Sequence, residues 1–127
     1  AKYRSKEEVE EYKNNRDLYL KSGEYVGYIR LVIYETGTLA LEHPQLEYEI
    51  EEKYRNQGVM SQELPKYLQF AFDNGEKIIV ALCKESNITS RKLLEKNSFL
   101  NTGKIEDKII FVLFQKFYKE LTNNTKE

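Results

Sequence analysis

The 127-residue sequence has one cysteine and one histidine. A lone cysteine, Cys83, forms no internal disulfide and builds no cysteine-based zinc site. It sits in an apolar run and reads as a core thiol, without the histidine partner that an acyl-cysteine mechanism needs. A lone histidine, His43, removes most metal-site and Ser-His hydrolase readings. Beside Pro44 in a loop, it reads as a surface residue. Charge of neither sign is in excess: 20 Lys plus Arg face 21 Asp plus Glu, for a net charge of -1. Nucleic acid is therefore not expected as the main partner, because phosphate binding needs a basic excess or a basic face. No apolar run approaches the roughly 20 residues of a membrane span. Ala1-Lys2-Tyr3-Arg4 leads straight into charge without a secretory pattern. The expectation is a cytoplasmic protein with no metal and no membrane contact.

What is present fits a soluble globular chain: 40% hydrophobic and 32% charged residues supply both a core and a wetted surface. The length allows one domain over 1–127, with 1–4 and 119–127 expected to fray. Ser5 and Glu8 stand in capping-box positions, and the acids at 7–11 form a solvated helix face, so a helix is expected over 5–15. Residues 17–21 and the β-branched, aromatic stretch 25–34 flank Ser22-Gly23 and read as a hairpin. Gly37 and His43-Pro44 mark a loop.

Over 45–52 the residues alternate, with Leu46, Tyr48 and Ile50 on one face and Glu47, Glu49 and Glu51 on the other; this is a strand. Met60, Leu64, Tyr67, Leu68 and Ala71 form a helical stripe over 59–74. Asn74-Gly75 ends that helix, and Pro65 is expected to kink or loosen it. The aromatic residues Tyr67, Phe70 and Phe72 read as core. The apolar run 78–83 reads as a strand buried on both faces, 87–97 as a shorter helix and 109–114 as another strand. The order helix, β, β, β, helix, β, helix, β, β predicts a mixed α/β domain. Its 45–52, 59–74 and 78–83 segments form a right-handed βαβ unit.

The chemistry is expected in Arg55-Asn56-Gln57-Gly58-Val59-Met60-Ser61, between a strand and a helix. A glycine there lets the backbone turn sharply, and the helix start presents N–H groups and partial positive charge, which suits a pyrophosphate. A tight turn alone would use the same glycine. The stretch is neither a Walker loop nor a dinucleotide fingerprint.

Arg55-Asn56-Gln57-Gly58-Val59-Met60 resembles the Arg/Gln-x-x-Gly-x-Gly/Ala motif of the GNAT N-acetyltransferase superfamily. The stretch from Asn87-Ile88-Thr89-Ser90 to Asn97-Ser98-Phe99 resembles its second signature, Asn-x-x-Ala/Ser followed by a helix and Gly-Phe. Tyr25-Val26-Gly27-Tyr28-Ile29-Arg30-Leu31 resembles its third strand. Within the superfamily, the ribosomal-protein N-terminal acetyltransferase branch is the most similar, and the resemblance covers residues 5 to about 117. The chain departs from the pattern at Met60 (a small residue in the family), Ser98 (glycine), Leu94 (often tyrosine) and Gln45 (often glutamate in the branch). The family's first strand and helix have no counterpart ahead of the expected helix, which makes the chain a minimal member or a fragment.

The resemblance implies a GNAT-like twisted mixed sheet with helices on both faces, and the first strand is expected to be lacking. It implies acetyl-CoA as co-substrate and an amine acceptor, on a protein N-terminus or a small molecule. The pantetheine arm would extend the 45–52 strand through the backbone of Tyr48, Glu49 and Ile50, in a V formed with the 78–83 strand. The pyrophosphate would lie on the N–H groups of Asn56, Gln57, Gly58, Val59, Met60 and Ser61, with Arg55 adding charge. Asn87 would bond the pantetheine or order its loop. The amine attacks the thioester directly, so a carboxylate must take its proton; the candidates are Glu47 and Glu49. Ser90 would meet the leaving thiolate, unless it only serves the helix start or a tyrosine takes its place. One alternative is a domain that binds acyl-CoA without turnover; another is an interaction domain in which Gly58 is only a turn. Sheet edges exposed by the absent first strand would favour a homodimer.

Overall fold

The computed structural model describes residues 13–33 and 43–118. Among these residues it shows a mixed α/β fold with six strands and two α-helices in the order β, β, β, α, β, α, β, β. The expected capping box at Ser5 and most of the expected first helix lie outside the described residues. Residues 13–15, placed in that helix from the sequence, instead belong to a strand. The chain divides into two compact units, 1–69 and 70–127.

In the first unit, β1 (Lys13–Tyr19), β2 (Tyr25–Val32) and β3 (Gln45–Ile50) pair antiparallel in sequence order. The β1–β2 hairpin closes with Leu20 N–H on the Glu24 carbonyl at 2.8 Å and Gly23 N–H on the Leu20 carbonyl at 2.9 Å. Gly23 takes φ +97°, which explains the Ser22-Gly23 signal. A register shift between Leu18 and Tyr19 bulges the hairpin. Just beyond it, Gly27 lets β3 come close: a Cβ at this position would collide with the Glu49 carbonyl oxygen. Ile29, Leu31 and Leu46 are buried on one face of the β2–β3 pair; the other face carries the polar side chains Tyr28, Arg30 and Glu47 alongside the buried Val26 and Val32. Each fully buried aliphatic side chain contributes about 1.5–3 kcal/mol.

A 3-10 turn (Glu52–Tyr54) follows β3 and leads to α1 (Val59–Asp73). Met60, Leu64, Tyr67, Leu68, Ala71 and Phe72 are buried, as the helical stripe requires. Phe70 corrects the sequence reading: it is 40% exposed, because its angular position on the helix falls outside that stripe. The helix continues unbroken through Pro65. The hydrogen bond that proline cannot donate would have gone to the carbonyl of Ser61, an exposed residue that water reaches.

In the second unit, β4 (Ile78–Lys84) and β5 (Leu100–Ile105) pair antiparallel on either side of β6 (Lys108–Phe114). Ile79, Val80, Ala81 and Cys83 are buried, which fits the continuous apolar run of β4, whereas in β6 the buried Ile109, Phe111 and Leu113 alternate with half-buried residues. The tilted pair of Phe72 and Tyr118, with centroids 5.3 Å apart, extends this core. Between β4 and β5 lies α2 (Ile88–Lys96). Both helices end in a Schellman motif. After α1, Glu76 N–H bonds the Ala71 carbonyl and Gly75 N–H the Phe72 carbonyl, both at 3.1 Å, with Gly75 at φ +102°. After α2, Phe99 N–H bonds the Leu94 carbonyl and Ser98 N–H the Glu95 carbonyl, also at 3.1 Å, with Ser98 at φ +74°. The serine in place of the family's glycine thus occupies a left-handed position.

Candidate functional site

The segment from β3 to α1 is held by its own backbone. Tyr54 N–H bonds the Glu51 carbonyl at 2.8 Å, and Arg55 N–H bonds the Glu52 carbonyl at 3.2 Å. Asn56 (φ +62°) and Gly58 (φ +76°) then turn the chain through two left-handed positions into the helix. The first intrahelical bond runs from Gln62 N–H to the Gly58 carbonyl, at 3.1 Å. The N–H groups of Gly58, Val59, Met60 and Ser61 therefore precede the helical ladder, and glycine has no side chain to cap them. They form the positive end of the α1 dipole. Gly58 and Ser61 are exposed, whereas Met60 is 8% exposed with its side chain in the core. The bulk that distinguishes Met60 from the family's small residue is thus withdrawn from the surface of the turn.

Arg55, expected to add charge to the turn, is directed back to β3. Its Nε donates to the Ile50 carbonyl at 2.8 Å, and its Nη2 lies 3.7 Å from Glu49 Oε1. Gln57 Nε2 donates to the Lys53 carbonyl at 3.4 Å. Both side chains therefore brace the loop.

The polar face of β2 and β3 holds both candidate bases. Glu47 lies opposite Arg30 and Glu49 opposite Tyr28. Arg30 reaches Glu47 Oε1 at 3.2 Å through both Nε and Nη2. Glu47 is partly buried and Glu49 exposed. The Arg30 guanidinium stands 4.3 Å from the centroid of the Tyr28 ring. Burial pushes the Tyr28 phenol above its ordinary value; Arg30 opposes this, and Glu49 and Glu47 add to it. Tyr48 and Ile50 alternate with these residues on the other face, each partly buried. In the sequence Arg30 stands out only as part of a strand. The signal was a basic and an acidic residue on neighbouring strands, but their register crosses residues 34–42 and is not fixed by any turn motif.

In the second unit, Asn87 caps α2: its Oδ1 accepts the Ser90 N–H at 3.1 Å. Ser90 is partly buried, in the first turn. The Cys83 thiol is buried and donates to the Lys84 carbonyl at 3.4 Å and the Asn87 carbonyl at 3.7 Å, as a core thiol would. Leu94, where many family members carry tyrosine, is 1% exposed and belongs to the core. His43 is partly buried in a bend before β3. Among the described residues no group of three or more His, Cys, Asp or Glu side chains could hold a metal, and no helix is long and apolar enough to cross a membrane.

The fold is similar to that of several solved acetyltransferases. Ribosomal-protein-S5-alanine acetyltransferase from Vibrio fischeri superposes with a TM-score of 0.65 at 16% identity, over 76% of this chain and 58% of that one. Mutant forms of the spermidine/spermine N-acetyltransferase SpeG from Vibrio cholerae give 0.74 at 14% identity, over 88% and 69%. A GNAT-family acetyltransferase from Bacillus anthracis gives 0.65 at 18% identity, over 81% and 67%. The chain thus spans less than two thirds of the length of the Vibrio fischeri enzyme. Among curated proteins none matches. The model of the acetyltransferase (GNAT) family matches residues 3–99, a span that contains the β3–α1 turn and both signature stretches. The chain belongs to the acetyltransferase (GNAT) family.

Proposed function

We propose that the chain is an N-acetyltransferase that moves an acetyl group from acetyl-CoA to a primary amine by direct attack. The observation that carries this reading is the first turn of α1. Four consecutive N–H groups, from Gly58 to Ser61, precede the first helical hydrogen bond, in the stretch that resembles the family motif. A pyrophosphate bound there would accept from these groups and from those of Asn56 and Gln57. The pantetheine arm would run along β3 and pair with the backbone of Tyr48, Glu49 and Ile50. Arg55 would serve the site from behind, by fastening the turn to β3. Asn87 would act by ordering the start of α2.

In the reaction the amine nitrogen attacks the thioester carbonyl, and the carbonyl oxygen becomes an oxyanion that backbone N–H groups stabilise. The C–S bond then breaks, and CoA leaves as the thiolate. The amine's proton passes, through water, to a carboxylate, and the thiolate takes up a proton to complete the amide and free CoA. Glu47 is the first candidate for the base and Glu49 the second; Ser90 is the candidate partner of the thiolate.

A second reading, a domain that binds acyl-CoA without turnover, is favoured by one observation: Leu94 is buried hydrocarbon where many relatives place a phenol. Calorimetric titration with acetyl-CoA and with desulfo-CoA tests what both readings share. Micromolar binding is expected, and no binding sinks both. A thiol-release assay then separates them, with spermidine and an alanine-starting peptide among the amines, since structural neighbours are named for such acceptors. Thiol release that depends on the amine supports the enzyme; binding without release from any amine supports the silent domain.

A further inference from the structure

Each strand of the β2–β3 pair contributes one charged residue to a contact that is more enclosed than its neighbours. Arg30 and Glu47 stand directly opposite in the register and are only 27% and 23% exposed. The pairs Arg55–Glu49, Lys53–Glu24 and Lys104–Glu85 are all more than half exposed on both sides. The guanidinium uses two donors, Nε and Nη2, and sets both on the same oxygen, Glu47 Oε1, at 3.2 Å. Arg30 is itself held. Tyr28, two residues earlier on the same face, places its ring 4.3 Å from the guanidinium carbon. Tyr28, Arg30 and Glu47 thus form a stack in which each side chain limits the rotamers of the next.

We infer that Arg30 is a positioning residue for Glu47 and fixes the direction in which that carboxylate is presented to the amine or to the water carrying its proton. The inference rests on the reading of Glu47 as the base. A glutamate side chain has three rotatable bonds, and misplacing a reacting group by about 1 Å can cost about 10²-fold in rate. A stacked planar guanidinium with two donors on one oxygen removes that freedom. A lysine, with a point charge and no plane, removes only part of it.

The test is the steady-state kinetics of thiol release, with each variant's melting temperature measured alongside. Four variants are compared with wild type: E47Q, R30Q, R30K and R30Q/E47Q. E47Q is expected to lower kcat by about 10²–10⁴. R30Q is expected to lower kcat by about 10–10² while the KM for acetyl-CoA stays within about twofold, and R30K should recover only part of the loss. In the E47Q background R30Q should have no further effect, because the group it positions is already gone. An arginine that only stabilised the fold would cost the same factor in both backgrounds and lower the melting temperature. That equal cost, or wild-type kcat in R30K, overturns the inference and leaves the base reading standing. E47Q activity within a few-fold of wild type overturns the base reading, and the inference falls with it. R30K also keeps the test decisive if R30Q does not fold.

Discussion

The two helices end in the same hydrogen-bonded motif but differ in the residue at its left-handed position, glycine in one and serine in the other. The substitution S98G isolates the cost of that difference. A side-chain-bearing residue pays about 1–2 kcal/mol to sit in the left-handed region. Glycine avoids this cost but loses about 0.5–1 kcal/mol through its greater freedom in the unfolded chain. The net expectation is that S98G stabilises the protein by about 0.5–1 kcal/mol. For a chain of this length that corresponds to a rise in melting temperature of about 2–4 °C. The reciprocal change, G75S at the end of α1, should lower stability by about the same 0.5–1 kcal/mol. Space plays no part in that loss, since a Cβ on Gly75 would meet nothing within 4 Å; the backbone angle of +102° alone opposes it. Urea denaturation followed by circular dichroism gives both differences at 25 °C. If S98G is neutral or destabilising while G75S is clearly destabilising, the left-handed position of Ser98 is not where strain is stored, and the reasoning fails.

At Gly27 the obstacle is steric: G27A would drive its Cβ into the Glu49 carbonyl and should cost at least about 2 kcal/mol, read by the same denaturation. G58V has open space around its Cβ but must adopt φ +76°; differential titration should show acetyl-CoA affinity falling by about tenfold or more, with turnover of bound cofactor changed less. Unchanged affinity would refute the assignment of this turn to the pyrophosphate. Burial raises the phenol pKa of Tyr28 and Tyr118, so the folded state holds those protons more tightly than the unfolded state. Their contribution is complete below about pH 10 and is lost as pH rises through the folded values. The melting temperature should therefore fall above pH 10, and Y118F should shallow that fall; a flat profile to pH 11 would contradict it.

Periodicity and turn chemistry made most of the elements legible. The alternation of acids and apolar residues over 45–52 located β3, the 3.6-residue stripe located α1, and Asn74-Gly75 marked a real Schellman end. The strand after α2 was foreseen only by order: β5 carries Asn, Thr, Gly and Lys and is almost wholly exposed, so no apolar pattern marks it. Residues 13–15 failed because local helix signals lead into residues that pair with β2, and pairing overrides propensity. Phe70 failed because an aromatic residue was assumed buried by type rather than by angle. The left-handed turn at Gly58 was visible because glycine before a helical stripe has a backbone meaning. The brace of Arg55 and the stack of Tyr28, Arg30 and Glu47 were not, since cross-strand register depends on packing that no local motif encodes.

The way Arg55 closes the loop onto its strand has a kinetic consequence. A turn that awaits an anion commonly has to be ordered by it, and that ordering weakens binding and slows it. Here the chain between β3 and α1 is tied by the Arg55–Ile50 bond, by Gln57 on Lys53, and by the reach of Lys53 to Glu24, 3.9 Å away in the neighbouring hairpin turn. An arriving anion would meet N–H groups already in place, and little conformational entropy would remain to be lost. Its association should then be a single fast phase limited by encounter, with amide exchange slowed at the N–H groups that bond the anion and nearly unchanged in the rest of the turn.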